Sequence, residues 1–279
     1  MWLVADSGST KTEWRLFNKN GVQEKASSKG LNPIFLNKTS FENAVKESLP
    51  ESWFAMVSKL WFYAAGVDTE NMKSEAAKWL QSVFTKAEVW VESDLLAAAK
   101  AGCGSEEGIV AILGTGSNSA LYNGSSIVEH IRPLGYILGD EGSGTALGKA
   151  LLRHLLRDEF SKELSESLYA ELGMSYDEIL EHVYRSEWPN RFIASCTRVL
   201  HSHKSEIEIS ELINKVLEEF VNLLGRYSNA SRLPINFIGS ISCYFEENLS
   251  DIIKIKGLNM GKVIQSPAEE LVKYHIKNH

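Results

Sequence analysis

The sequence predicts an α/β protein built from two similar halves, and three observations lead to this fold class. Strands and helices alternate along the chain, each half opens with an apolar strand, a Gly/Ser/Thr turn and a second strand, and the second half repeats the order of the first. We therefore expect one lobe at residues 1–106 and a second at residues 107–279, with a helical insertion at about residues 160–230.

The first half begins with a β-hairpin whose strands flank the turn DSGSTKT at residues 6–12. The pair Asn20-Gly21 is a hairpin signal and predicts a third antiparallel strand after it. The other elements expected in this half are a helix at 39–48 capped by Thr39 or Ser40, a strand at 59–66, a helix at 71–84 capped by Thr69, a strand at 87–91 and a helix at 95–101.

The second half begins with the same kind of hairpin, in which strands at 108–113 and 119–122 flank the turn GTGSN. The pair Asn123-Gly124 again predicts a third strand. The later elements expected here are a helix at 145–160, the helical insertion, strands at 234–238 and 262–265, and a C-terminal helix that starts at Pro267. We expect the two lobes to meet in a hinge near residues 102–108.

Composition narrows the functional classes. The chain has 279 residues, of which 44% are hydrophobic and 23% are charged, and its net charge is −7. The acidic balance argues against nucleic acid as a partner. No apolar run approaches the ~20 residues of a spanning helix, so no membrane partner is expected and the cytoplasm is the expected location. The cysteines lie far apart without a CxxC pattern, which predicts reduced thiols rather than structural zinc.

The turn of the first hairpin has the composition of an anion site. Gly8 can adopt a positive φ, so backbone N–H groups of residues 7–10 could converge on a phosphate oxygen. Hydroxyl donors and a positive charge would come from Ser7, Ser9, Thr10 and Lys11. Asp6 enters this turn, where a carboxylate could hold hydrated Mg²⁺ beside a nucleotide. An ordinary turn is the alternative, and the second hairpin of the same type favours the phosphate site.

Five motifs together carry a family resemblance. They are DSGSTKT at 6–12, ESDLLAAAKA at 92–101, LGTGSN at 113–118, GYILGDEGSG at 135–144 and FIGS at 237–240. With these motifs the chain resembles the superfamily of acetate and sugar kinases, Hsp70 and actin. More narrowly, it resembles the BadF/BadG/BcrA/BcrD-type ATPases and the N-acetylglucosamine kinases. The resemblance implies a duplicated ribonuclease H-like, or actin-like ATPase, fold with a cleft between two lobes.

The resemblance also implies how ATP would be bound. The ATP phosphates would be held by Gly8, Ser9, Thr10 and Lys11 of the first hairpin and by Thr115, Gly116 and Ser117 of the second. Asp6 would position Mg²⁺ through water, and Gly239 and Ser240 match the motif that lies against adenosine. Positioned N–H groups, a lysine and Mg²⁺ are the groups that stabilise a phosphoryl group during transfer.

Asp94 is the candidate general base, because it follows a strand and could accept a proton from a substrate hydroxyl. An aspartate before a Leu/Ala-rich helix is also a good N-cap, which is the alternative role. The resemblance further implies that Asn32, Gly135 and Asp140 contact the sugar. An Asn-Pro turn is the alternative for Asn32, and interaction with a helix dipole is the alternative for Asp140.

The predicted function is an ATP-dependent kinase that phosphorylates a hydroxyl of an amino sugar, with N-acetylglucosamine or N-acetylmuramic acid converted to its 6-phosphate. One alternative is an ATPase that activates a partner enzyme through an iron–sulfur cluster, but Cys103 and Cys196 do not match that cluster motif. Another is a non-catalytic sensor of sugar or nucleotide. The chain departs from the family at residues 201–210, which lack a Gly-Asp pair, and after Pro267. The family's habit makes a homodimer an option.

Overall fold

The frame of the protein is two mixed β-sheets with helices around them. The computed structural model describes residues 1–8, 10–67 and 69–279. The strands are β1 (Trp2–Ser7), β2 (Lys11–Asn18), β3 (Gly21–Lys29), β4 (Lys59–Ala64), β5 (Glu88–Ser93), β6 (Glu107–Leu113), β7 (Ser117–Asn123), β8 (Ile127–Ile131), β9 (Pro234–Ile238) and β10 (Asn259–Ile264).

The helices include those of the expected insertion, α7 to α11. They are α1 (Lys38–Ser48), α2 (Glu51–Met56), α3 (Glu70–Val83), α4 (Asp94–Cys103), α5 (Gly135–Leu138), α6 (Gly144–Leu155), α7 (Lys162–Leu172), α8 (Tyr176–Arg185), α9 (Pro189–Ser195), α10 (Thr197–Ser202), α11 (Ile207–Leu224), α12 (Ser240–Tyr244), α13 (Glu246–Ile255) and α14 (Ala268–Asn278). None of these described helices is long and apolar enough to cross a bilayer.

The two sheets have the same strand order. The first runs β3-β2-β1-β4-β5, and the second, read from its β8 edge, runs β8-β7-β6-β9-β10. In the first sheet β1 is antiparallel to β2 and parallel to β4, and in the second sheet β6 is antiparallel to β7 and parallel to β9. This repetition confirms the duplicated ribonuclease H-like fold that the sequence predicts.

The chain divides into two compact units. The first comprises Met1–Glu106, Gly124–Ile127 and Ser266–His279, and the second comprises Glu107–Asn123 and Val128–Gln265. The expected change of lobe after residue 106 coincides with the end of the first segment, whereas α14 groups with the first unit and not with the second. The reason is an apolar face of the first sheet, since Leu271 and Val272 of α14 are buried there in one cluster with Val4, Phe17 and Trp61.

The opposite face of the first sheet packs against α1, α2 and α3. Trp14 and Phe62 of the sheet share a core with Phe41, Trp53 and Trp79 of these helices. In the second unit one continuous core joins the sheet to α6 and α11, among other helices. Both sheets are therefore rigid supports for the turns at the ends of their strands.

Two local predictions can be compared with the observed helix starts. The Thr69 hydroxyl accepts a hydrogen bond from Met72 N at 3.3 Å, which confirms Thr69 as the cap of α3. The cap of α1 is Asn37, whose side chain accepts from Ser40 N at 2.9 Å, so the expectation of Thr39 or Ser40 is wrong. Asparagine caps a helix as well as serine or threonine does, and the true helix start lies one residue earlier than expected.

Candidate active site

The first hairpin, β1–β2, is closed by a hydrogen bond from Gly8 N to Lys11 O at 3.0 Å. Gly8 does not adopt a positive φ, and a Cβ on it would meet Lys11 O at an ordinary 3.8 Å. The expected use of left-handed backbone at Gly8 is therefore wrong. Thr10 and Lys11 are exposed at this turn, and Ser9 lies outside the described residues.

Ser7 serves the protein rather than a ligand. Its side chain is fully buried, and its hydroxyl lies 2.8 Å from the Thr12 hydroxyl and accepts from Leu31 N at 2.9 Å. The Thr12 hydroxyl in turn donates to Lys29 O at 3.0 Å. The expectation that the Ser7 hydroxyl faces a phosphate is wrong, because these contacts tie the hairpin to the loop that carries Asn32.

Lys11 belongs to a chain of ion pairs. Its ammonium group contacts Glu13 Oε1 at 2.7 Å, and Arg15 contacts Glu13 Oε2 at 2.8 Å and Glu269 at 3.0 Å. Burial disfavours the charge of Glu13, but hydrogen bonds from Lys11 and Ser266 and the charge of Arg15 outweigh burial and lower its pKa. The network keeps a lysine beside the turn with its charge balanced.

Asp6 lies at the carboxyl end of β1 among negative charges. Burial, followed by the charges of Asp94 and Glu13, raises the pKa of Asp6 to about 7, and Arg15 opposes this rise. Within the described ranges, no group of three or more His, Cys, Asp and Glu side chains could hold a metal by itself. The carboxylates of Asp6 and Asp94 nevertheless fit a hydrated Mg²⁺, because a cation would relieve their repulsion.

Asp94 is the first residue of α4, but it does not cap the helix. The cap is Ser93, whose hydroxyl accepts from Leu96 N at 3.2 Å. The alternative role for Asp94, that of N-cap, is therefore wrong. Its half-buried carboxylate stands at the positive end of the α4 dipole and close enough to Asp6 to raise the pKa of that residue.

The second hairpin, β6–β7, is braced by the start of α6. Gly114 N donates to Gly116 O at 3.0 Å within the turn. Thr145 donates to Thr115 O twice, from its backbone N at 3.1 Å and from its hydroxyl at 2.6 Å. The carbonyl of Thr115 is thus committed to α6.

Asp140 lies against this second hairpin. Its carboxylate accepts a long hydrogen bond from Ser117 N at 3.4 Å, and a Cβ on Gly116 would meet it at 2.9 Å. Burial raises the pKa of the Asp140 carboxyl, against the effects of Ser117 N–H and Lys149. The backbone of Asp140 is left-handed, with φ 58°, which is uncommon outside glycine and marks a constrained position.

Gly239 and Ser240 connect β9 to α12 in the second unit. Gly239 has φ 122°, and a Cβ there would approach Leu113 O at 2.2 Å. The absence of a side chain at Gly239 is therefore required by the neighbouring strand β6. Ser240 begins α12 and is half-buried.

Of the expected sugar contacts, Asn32 lies in the first unit and Gly135 and Asp140 lie in the second. Asn32 is buried and accepts from Ile34 N at 2.9 Å, so the turn that was its alternative role exists. Gly135 begins α5 with φ 72°, and a Cβ on it would meet open space. The positive φ explains why position 135 is a glycine, since no neighbouring atom of the protein would contact a side chain there.

Several residues of the site were missed from the sequence. Glu13 and Thr145 fix the candidate ligand-binding residues Lys11 and Thr115, and Thr12 holds Ser7 within the first hairpin. Thr12 and Glu13 stand in or directly after DSGSTKT, and Thr145 follows GDEGSG, so proximity to a motif was an available signal. Nothing in their residue types indicated which partner each would contact.

A solved structure from Porphyromonas gingivalis shares both sequence and fold with this chain. That protein, provisionally named an N-acetylglucosamine kinase, is 37% identical, the match covers 100% of both chains, and the TM-score is 0.95. The chain belongs to the same family as this protein.

A curated protein named for a kinase activity of the same kind matches part of the chain. The N-acetylmuramic acid/N-acetylglucosamine kinase of Clostridium acetobutylicum is 30% identical over 145 residues, which are 50% of this chain and 47% of that protein. The match thus spans about half the length of the curated relative. No protein-family model matches the chain.

The fold extends to distant sugar kinases. A ROK family glucokinase from Streptomyces griseus, 14% identical, matches 98% of this chain and 99% of its own with a TM-score of 0.57. At this identity the likeness concerns the fold alone, and it agrees with the actin-like ATPase architecture of the two sheets.

Proposed function

We propose that this protein is an ATP-dependent kinase that transfers the γ-phosphoryl group of ATP to a hydroxyl of an amino sugar. The favoured acceptors are N-acetylglucosamine and N-acetylmuramic acid, phosphorylated at the 6-position. The names of the Porphyromonas and Clostridium proteins support the substrate class. The observation that carries the proposal is the acidic pair Asp6 and Asp94, in which Asp94 has no capping duty. Within the superfamily, the motifs favour the BadF/BadG/BcrA/BcrD-type branch.

Asp94 acts as the general base in this proposal. A sugar hydroxyl placed against its carboxylate gives up its proton as the oxygen attacks the γ-phosphorus. Asp6 would hold Mg²⁺, which would supply charge neutralisation on the phosphates. Ionisation of Asp6 beside Asp94 is unfavourable in the free protein, which favours cation binding at this point.

The two hairpins bind the phosphates. The first offers Gly8, Ser9, Thr10 and Lys11, and the second offers Thr115, Gly116 and Ser117. Lys11 is exposed and close to the turn, so it can exchange Glu13 for a phosphate oxygen. We also propose that Gly239 and Ser240 contact adenosine. Asn32, Gly135 and Asp140 are the proposed sugar contacts.

The cysteines argue against the alternative function, an ATPase that activates a partner enzyme through an iron–sulfur cluster. Burial raises the pKa of Cys196 to about 11, and burial together with Glu246 raises the pKa of Cys243. Cys103 is buried. Cluster ligation requires thiolates, and the environments of Cys196 and Cys243 oppose their formation. A cytoplasmic location and a homodimer stay predictions.

The direct experiment is ATP consumption with Mg²⁺ over a panel of N-acetylglucosamine, N-acetylmuramic acid, N-acetylmannosamine, glucosamine and glucose. Asp94→Asn should lower kcat by about 10³-fold while nucleotide binding and Tm stay close to the parent values. The matched control is Glu92→Gln, which removes a carboxylate paired with Lys73 from the same strand end. ATP hydrolysis that is independent of every sugar would favour the sensor or activator function instead.

A further inference from the structure

The side-chain NH₂ group of Asn32 is an unused hydrogen-bond donor group within the part of the chain that the structure describes. Asn32 is only 8% exposed, and its Oδ1 accepts from Ile34 N at 2.9 Å. That contact fixes which end of the amide is oxygen, because a backbone N–H needs an acceptor. The other end, Nδ2, has no hydrogen-bond partner within residues 1–8, 10–67 and 69–279. Nδ2 itself is not among the fully buried atoms, so an oxygen atom of a ligand can reach it.

Gly66 forms the wall against which this amide lies. It follows β4 and has φ 81°, and a Cβ built on it would meet Asn32 Oδ1 at 2.4 Å, Asn32 Nδ2 at 2.9 Å and Ile34 Cδ1 at 2.9 Å. Real Cβ contacts are not this short, so any other residue at position 66 must displace the amide or the isoleucine. The Asn32 carboxamide can keep its orientation only beside a glycine.

The loop that carries Asn32 is also anchored by Ser7 at the end of β1. Leu31 N donates to the buried hydroxyl of Ser7, and Ala65 N donates to Ser7 O at 3.0 Å. Ser7 therefore holds both the residue before Asn32 and the residue before Gly66. The backbone on each side of the amide is anchored to the first hairpin, which leaves the position of Asn32 Nδ2 decided by Gly66.

We propose that Gly66 is a positioning residue that presets Asn32 Nδ2 as the donor to an oxygen atom of the sugar. The inference rests on the proposed sugar-kinase function. Gly66 touches neither substrate nor phosphate in this arrangement, and it acts only by leaving room for the amide. Its replacement should therefore weaken sugar binding without changing the chemical step.

Gly66→Ala should raise KM for the sugar about tenfold or more, while kcat and KM for ATP stay within about twofold of the parent. Gly104→Ala is the matched control, because Gly104 also has a positive φ, 64°, but its Cβ would meet nothing within 4 Å. The control should lower Tm and leave the sugar KM unchanged. A Gly66→Ala enzyme with parental sugar KM, or with a similar rise in KM for ATP, would overturn the proposal.

A double variant tests whether the contact itself is responsible. Asn32→Ala/Gly66→Ala should have a sugar KM no higher than that of Asn32→Ala, since the new methyl group then enters space left by the amide. If Gly66→Ala does not fold, the added Asn32→Ala should restore folding. A double variant that also fails to fold would mean that Gly66 serves the backbone alone.

A readout without turnover separates this inference from the proposed function. In ¹⁵N-labelled protein, the side-chain NH₂ resonances of Asn32 should move in Gly66→Ala and not in Gly104→Ala. If the parent protein phosphorylates no sugar, the proposed function fails, while these resonances still report on the positioning. Unchanged Asn32 resonances in Gly66→Ala would contradict the positioning even in an active kinase.

Discussion

The two hairpins have the same place in their sheets but are stabilised in different ways. The first is surrounded by charged side chains, among which Glu13 interacts with both Lys11 and Asp6. The second contains no lysine or arginine in residues 113–118 and is braced by hydrogen bonds from Thr145 to Thr115 O. In the proposed kinase, the first hairpin would contact phosphate through charge and the second through backbone N–H groups.

Of the changes within the two hairpins, removing the cation of the first should have the largest effect. Lys11→Gln should lower kcat/KM for ATP about 100-fold, because the transferred phosphoryl group loses its ammonium contact. Steady-state kinetics with ATP varied at saturating sugar measures this. Lys25→Gln is the control, since Lys25 pairs with Glu269 at 2.6 Å in the same ion-pair network but away from the turn. Equal losses in both variants would mean that Lys11 acts through the network rather than on phosphate.

The raised pKa of Asp6 in the first hairpin should make the free energy of unfolding depend on pH. The pKa of Asp6 is about 7 in the folded protein and 3.8 for an ordinary aspartate, so the unfolded state releases this proton at lower pH and the free energy of unfolding falls as pH rises from about 4 to 7. Asp6→Asn should remove that fall and be more stable by about 4 kcal/mol above pH 7, with no difference near pH 4. Urea unfolding without nucleotide at several pH values measures it.

Addition of Mg²⁺ and ATP should reduce or reverse the advantage of Asp6→Asn, because bound cation favours the ionised aspartate. A pH-independent difference between the two proteins would contradict the assigned cause. The second hairpin differs from the first because its neighbouring carboxylate, that of Asp140, comes from outside the hairpin and accepts a hydrogen bond from Ser117 N.

Glycine should matter differently in the two turns. Gly116→Ala should push the Asp140 carboxylate away and lower kcat/KM about tenfold with little change in Tm, since the carboxylate can shift. Gly8→Ala has room for its methyl group and should leave Tm unchanged as well. A crystal structure of Gly116→Ala tests the displacement. An unmoved Asp140 would mean that the turn itself yields.

Removal of a helix cap should have the smallest effect, and the loss of stability should be similar in the two units. Ser93→Ala and Ser143→Ala each remove a hydroxyl that accepts from a first-turn N–H, at 3.2 Å in both helices, and each should cost about 1 kcal/mol of stability. Thermal unfolding measures this. Only Ser93→Ala should also reduce kcat, because Asp94 follows it directly. A parental kcat in Ser93→Ala would mean that the strand, rather than the cap, positions Asp94.

The sequence by itself determined the features that depend on neighbouring residues. The order of strands and helices along each half, both hairpins, the Thr69 cap and the place of Asp94 between strand and helix follow from apolar periodicity and turn chemistry. The motifs also indicated which residues gather at the ends of the strands. These signals are local, so a pattern of about ten residues contains them.

Only the tertiary structure decided which partner each site residue has. Arg15 contacts Glu269, 254 residues away, α14 covers the first sheet, Asp140 rests on Gly116, and Gly66 makes room for Asn32. Hydrogen bonds and steric clearance depend on atoms that the fold brings together, and residue type fixes only what a side chain can offer. The inward turn of the Ser7 hydroxyl shows the same limit, because its sequence suits a phosphate contact as well as a structural one.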